Sequence, residues 1–241
     1  MFPESGYAIF RDRWPSADDF GSAIYVVFKA AFLGRFHRHG DDLSVLLYAF
    51  GEDWLVDSGL FLYHEEDARR KYVRSVHGHN LVTVDELEPS RRAADIGRSH
   101  IDTWSLQPDC AIVSGSHELY AEISISRRLE FQRSGRLRID DSVMPADGAN
   151  HHFRVLFHVP DDKHVTVVNG DALVSSPRTG RRLRLAPLAC QFEDVHVVSG
   201  RTEPSWQGWS SPEYGTIEKT KCIMFETRRR CLESCVELAF E

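Results

Sequence analysis

Short runs of β-branched and aromatic residues, each bounded by turn-forming residues, recur along nearly the whole chain and restrict it to sheet architectures. Leu137-Arg138-Ile139-Asp140 alternates in polarity as a half-buried strand does. Comparable runs lie at 7–14, 23–32, 43–50, 54–57, 80–85, 112–114, 123–131, 136–140, 153–159, 164–168, 182–185, 195–198, 221–226 and 233–240. Gly51-Glu52-Asp53, Ser134-Gly135, Asn169-Gly170-Asp171 and Arg178-Thr179-Gly180 supply hairpin chemistry between them. Helical periodicity is confined to 65–72, where Glu66 and Arg70 are spaced to pair at i, i+4. The expected fold is all-β, a two-layer antiparallel β-sandwich formed as one domain over 1–241.

At 241 residues such a domain can bury a substantial core. No run approaches the ~18 apolar residues of a membrane helix, and a net charge of −7 argues against a nucleic-acid partner. Met1-Phe2-Pro3-Glu4-Ser5-Gly6 lacks the basic and apolar regions of a secretory signal, so export is not read from this stretch and the location stays open. Cys110, Cys190, Cys222, Cys231 and Cys235 are too sparse for a disulfide framework, and Cys231 and Cys235 lack the second pair of a zinc ribbon. The stretch 201–215 reads as a long loop over one edge or end of the sandwich. Its Trp206, Trp209 and Tyr214 suit either stacking on sugar rings or pinning the loop to the core.

Histidines and a carboxylate concentrate between Phe36 and Val84. Read as a strand, Phe36-His37-Arg38-His39 puts both imidazoles on one face. If 53–57 folds back after the Gly51 turn and 79–85 lies alongside, Asp57 and His79 join them. Two imidazoles and a carboxylate are the donors of an open zinc site. The spacing has no zinc-finger signature, however, and each residue also has an ordinary role: Asp57 ending a strand, His79 hydrogen-bonded at the core edge. His77, His151, His152, His158 and His164 have no recognisable spacing partner.

The order of these motifs resembles the C-terminal β-sheet domain of the heparinase II/III-like polysaccharide lyases. His37, His39, Asp41, Leu43 and Ser44 open the pattern; Tyr48 to Gly51, Leu55 to Gly59, then Arg74, Ser75, His79 and Asn80 continue it. Phe2-Pro3-Glu4-Ser5-Gly6-Tyr7 looks like the first strand of that domain, and Gly208-Trp209-Ser210 with Tyr214-Gly215 like its late segment. The family's helical toroid has no counterpart in these residues.

The resemblance implies β-elimination on a uronic-acid polysaccharide. That reaction needs neutralisation of the uronate carboxylate, a base for the adjacent proton and an acid for the leaving oxygen. Carried over residue by residue, His37 is the histidine this domain contributes to catalysis, and His39, Asp57 and His79 hold a chiefly structural zinc. Asp41 is expected to orient a metal-bound histidine rather than to bind metal. Arg74, Trp209 and Tyr214 are the expected substrate contacts, and Arg69, Arg70 and Lys71 are further candidates for overriding the acidic net charge locally. The expected partners are an acidic polysaccharide and a helical toroid domain or subunit that completes the site; the resemblance places an exported protein in the bacterial periplasm. The alternative is a non-catalytic, metal-stabilised module binding glycan or protein. A cupin-like metal enzyme fails, because Leu43 and Ser44 stand where its glutamate would be.

Overall fold

The computed structural model describes residues 1–14 and 16–241. It runs β1 (Tyr7–Arg11), β2 (Tyr25–Lys29), β3 (Ser44–Ala49), β4 (Glu52–Leu55), helix α1 (Ala68–Arg74), β5 (Val82–Val84), β6 (Ser99–Leu106), β7 (Cys110–Tyr120), β8 (Ile123–Gln132) and β9 (Leu137–Pro145). There follow β10 (His151–Pro160), β11 (His164–Val168), β12 (Asp171–Ser175), β13 (Arg182–Pro187), β14 (Asp194–Ser199), β15 (Trp209–Ser210), β16 (Glu218–Arg229) and β17 (Leu232–Phe240). A four-stranded sheet has the order β1-β2-β3-β4, and a five-stranded one β14-β16-β10-β5 with β15 added on β16. An eight-stranded sheet runs β11-β12-β13-β17-β9-β8-β7-β6.

Aromatic contacts bind the layers. Phe10 stacks on Phe131 of β8 at 6.1 Å, while Phe50 and Trp54 meet Phe240 of β17 edge-on at 4.9 and 5.0 Å. The four- and five-stranded sheets join where the Val56 N–H donates to the His158 carbonyl at 2.9 Å. One apolar core draws on all three sheets, including Phe28, Phe157 and Ile139. The fold is the all-β sandwich that the strand periodicity implies, and all five cysteines are free. No helix among the described residues is long and apolar enough to cross a membrane.

A buried ion pair clamps the layers beneath the histidine region. Arg127 of β8 faces Asp141 of β9 in register, 1 % exposed, and donates to its two carboxylate oxygens at 2.6 and 3.0 Å. Its remaining reach crosses the core to the carbonyls of Leu43 at 2.9 Å and Asn80 at 2.6 Å. One guanidinium thus donates to two backbone oxygens of the opposite layer, and among the described residues only the Asn80 carbonyl has a further donor, the Val45 N–H at 3.3 Å.

Two strands lack a sequence signal, and two local expectations are corrected. β6 is the outermost strand of the large sheet, and Ser99 is its only buried residue, so it carries no alternating pattern to detect. β12 is only five residues long, too short for its buried Ala172 and Val174 to stand out. Helix α1 begins later than 65, after Asp67, whose carboxylate caps it by accepting from the Arg69 N–H at 2.8 Å. Glu66 pairs with Lys71 at 2.9 Å rather than with Arg70, because Arg70 is turned into the protein.

His117 of β7 is 5 % exposed, and burial pulls its pKa from 6.5 to about 4, with Asp42 opposing and Arg38 assisting. The unfolded chain therefore binds the proton first. Stability is intact above pH 6.5 and falls as pH drops toward 4, by at most about 3 kcal/mol from this residue. Urea denaturation between about pH 7 and pH 4 should show a shallower decline for His117→Gln than for the wild type.

Candidate functional site

Residues 36–40 form a turn rather than a strand, and His37 has a left-handed backbone at φ 55°. The reason is Arg38. Its guanidinium is drawn inward to pair with Asp42 and to lie 4.4 Å over the Phe32 ring, while the Gly40 N–H donates to the Arg74 carbonyl at 2.8 Å. The two imidazoles consequently part. His37 is exposed with its ring 5.2 Å from Tyr63, whereas His39 turns inward to 5.6 Å from the His79 ring.

Asp57 and His79 meet, though not by the expected strand pairing. β5 pairs with β10, not with β4. The crossing is made by backbone contact: the Ser58 N–H donates to the Gly78 carbonyl at 3.2 Å, and a Cβ at Gly78 would fall 2.5 Å from Ser58 Oγ. Only a residue without a side chain allows this approach. Asn80 fixes the same crossing by donating to the Val45 and Val56 carbonyls at 2.8 and 2.9 Å.

The result is a carboxylate–imidazole pair in which His79 is fully buried and Asp57 half-buried. His79 Nδ1 donates to Asp57 Oδ2 at 2.6 Å, and Asp57 Oδ1 accepts from the Gly59 N–H at 2.8 Å. Burial opposes the charge on both. The His79 cation nonetheless holds Asp57 down to about 2, and the Asp57 carboxylate, helped by Asp41, lifts His79 above its ordinary value. Beside this imidazolium His39 is neutral, lowered to about 4 by burial and then by the His79 charge. Arg70 donates to its Nε2 at 3.4 Å and to the Leu60 carbonyl at 2.8 Å. Asp41 stands near but makes no histidine hydrogen bond. Its carboxylate is taken by Lys29 and by Arg38 at 3.3 Å, so it acts on His79 and His39 through its field.

The donor types suit a borderline metal, and one atom is left over: His79 Nε2 is buried without a hydrogen-bond partner. As they stand, no three His, Cys, Asp or Glu side chains among the described residues have the spacing to hold an ion, Asp57 being turned onto His79 Nδ1.

His158, which lacks any sequence signal, belongs to this wall. The Asn80 side-chain oxygen accepts from its backbone N–H at 2.6 Å and from Nδ1 at 3.1 Å, leaving Nε2 to accept from Gln207 at 3.0 Å. Burial and the neighbouring His79 push it down to about 3, so it is a neutral spacer. Gln207 carries the 201–215 loop to the site, and Gly59 clamps that loop at the other end. At φ 77° an added Cβ there would be 2.2 Å from the Ser211 carbonyl.

The expected substrate contacts divide. Trp209 is half-buried against Phe61, Tyr72 and Val73, with its indole N–H donating to the Arg201 carbonyl at 2.9 Å, an anchoring role. Tyr214 is 65 % exposed and 6.0 Å from Tyr63, which extends the aromatic row away from His37. Arg74 pairs with Glu65 and donates to the Arg38 carbonyl at 3.3 Å, tying it to the His37 turn. Arg69 pairs with Asp67 at 2.6 Å and Lys71 with Glu66, so neither stands as a free cation.

The family described as heparinase II/III-like, C-terminal, matches residues 1–236. The chain belongs to that family. The heparan sulfate lyase of Pedobacter heparinus superposes with a TM-score of 0.81 at 18% identity, over 98% of this chain and 35% of that one. A heparinase III gene product gives 0.79 at 19% over 98% and 35%, and another heparinase III 0.77 at 12% over 99% and 36%. At such identities the likeness is one of fold, and the chain spans about a third of the length of these structures. A search of curated proteins by sequence returns no match.

Proposed function

We propose that this heparinase II/III-like domain is the β-sheet half of a polysaccharide lyase that cleaves uronic-acid polysaccharide by β-elimination. His37 moves a proton at the reacting sugar, and a helical partner domain supplies the other catalytic groups. The observation that carries this reading is the setting of His37. It is a solvent-facing imidazole bordered by Phe36, 94 % exposed, with Leu33 62 %, Tyr63 51 % and Tyr214 65 % exposed in the same region of sequence and contact. Apolar surface of this kind around a catalytic-type histidine favours a covering partner over a free-standing binding module. Tyr72, by contrast, is fully buried and raised far above its ordinary pKa by burial, unsuited to reach a substrate.

His39, Asp57 and His79 are the proposed zinc ligands, with His158 and Asn80 keeping the wall in place. When bound, the ion supplies structural cross-linking of the Asp57 turn to the His79 crossing. His37 remains outside it, free to exchange a proton, while Tyr63 orients the imidazole by ring contact.

Incubation of the chain with a panel of uronic-acid polymers, followed by ultraviolet absorbance of the unsaturated product, tests the split site. The chain alone should turn over slowly or not at all. Rapid turnover without a partner would contradict the proposal.

A further inference from the structure

Next to the His37 turn lies a hollow of about 510 Å³ lined by Arg35, Phe36, Arg38, Arg74 and Arg91, with no carboxylate in its lining. On a chain of net charge −7 such a concentration of guanidinium groups creates a local field opposite to the global one. The cluster is built into the site. Arg91 donates to the Arg74 carbonyl at 2.9 Å, and that carbonyl also accepts from Gly40 N–H of the histidine turn. Arg74 in turn donates to the Arg38 carbonyl, one residue from His37.

Much of the hydrogen-bonding capacity is unused. Arg35 is exposed and has no ion-pair partner among the described residues. The partners of Arg74 and Arg91 are Glu65, 60 % exposed, and Glu88, 39 % exposed, and exposed ion pairs of this kind are weak enough to be exchanged for a better anion. Each guanidinium presents five N–H donors in a planar fork that matches a carboxylate or a sulfate group. Phe36 adds an exposed ring face in the same hollow, against which the apolar side of a sugar can lie.

We propose that Arg35, Arg74 and Arg91 form a subsite for an anionic substituent, carboxylate or sulfate, on a sugar flanking the one at His37, with Arg38, buried on Asp42, holding the floor of the hollow. The inference rests on the acidic-polysaccharide reading and extends it from Arg74 to Arg35 and Arg91, which lie outside the motif pattern. Arg69 and Lys71 do not line the hollow. Recognition is by charge-assisted hydrogen bonds at fixed positions, so affinity should fall with ionic strength.

Isothermal titration of the chain with heparan sulfate oligosaccharides and with unsulfated polyguluronate oligosaccharides tests this, comparing wild type, Arg35→Ala/Arg91→Ala and the exposed control Arg133→Ala. Thermal unfolding of each variant confirms an intact fold. The double variant should bind on the order of tenfold or more weakly, and the control as wild type. Weakening on the sulfated chain alone assigns a sulfate to the hollow; weakening on both polymers assigns a carboxylate. Equal affinity of wild type and double variant overturns the subsite and leaves the lyase reading standing. Absence of wild-type binding to either polymer overturns both.

Discussion

Arg127→Met is expected to destabilise the protein by about 3 to 5 kcal/mol, the cost of breaking a buried ion pair by removing one partner. The substitution strands Asp141, which is 2 % exposed, and also removes the guanidinium that donates to the Leu43 and Asn80 carbonyls across the layers. Methionine fills similar volume, so the loss isolates electrostatics and hydrogen bonding from packing. Asp141→Asn placed on top should recover part of the loss by removing the unpaired charge, whereas the Leu43 carbonyl stays without its donor. Chemical denaturation of the single and double variants measures both terms. A change below about 1 kcal/mol would mean that water replaces the guanidinium and that the layers are held by the apolar core alone.

Zinc is expected to raise the thermal stability of the wild-type chain, by about 4 kcal/mol at a free concentration a thousand times its dissociation constant. His39→Ala should abolish that response, and elemental analysis should find zinc retained by the wild type and not by the variant. The argument is the convergence of His39, Asp57 and His79 together with the buried, partnerless His79 Nε2. His37→Ala serves as the contrast: its imidazole is exposed on the other side of the turn and should leave the zinc response unchanged. Equal stability with zinc or with a chelator would leave the Asp57–His79 ion pair as the whole of the site. Arg70, a buried guanidinium 3.4 Å from His39, would then stand beside it as a fixed cation.

Strand periodicity made the sandwich legible because side chains on strands buried on one face must alternate, and most strands here do. β8 is an example, with Ile123, Ile125, Arg127, Leu129 and Phe131 all facing inward. The same pattern hides a buried cation: Arg127 looks like a polar residue on the apolar face until Asp141 is seen opposite it in register. β6, nearly all exposed at a sheet edge, had no pattern to offer. In the histidine stretch, the motif order named His39, Asp57 and His79, which lie near one another, while the assumed strand geometry was wrong. A turn held by Arg38 and Arg74 sends His37 outward and His39 inward.

From sequence alone came the layer architecture, through side-chain alternation, and the family kinship, through the order of its motifs. The tertiary structure decided which titratable groups touch. His158, Gln207 and Arg70 enter the wall by long-range packing of segments whose local sequence carries no trace of it. Asp57 meets His79 where Ser58 packs against Gly78, a position at which an added Cβ would fall 2.5 Å from Ser58 Oγ. Local preference depends on near neighbours in the chain, whereas burial, field and hydrogen-bond partners depend on neighbours in space.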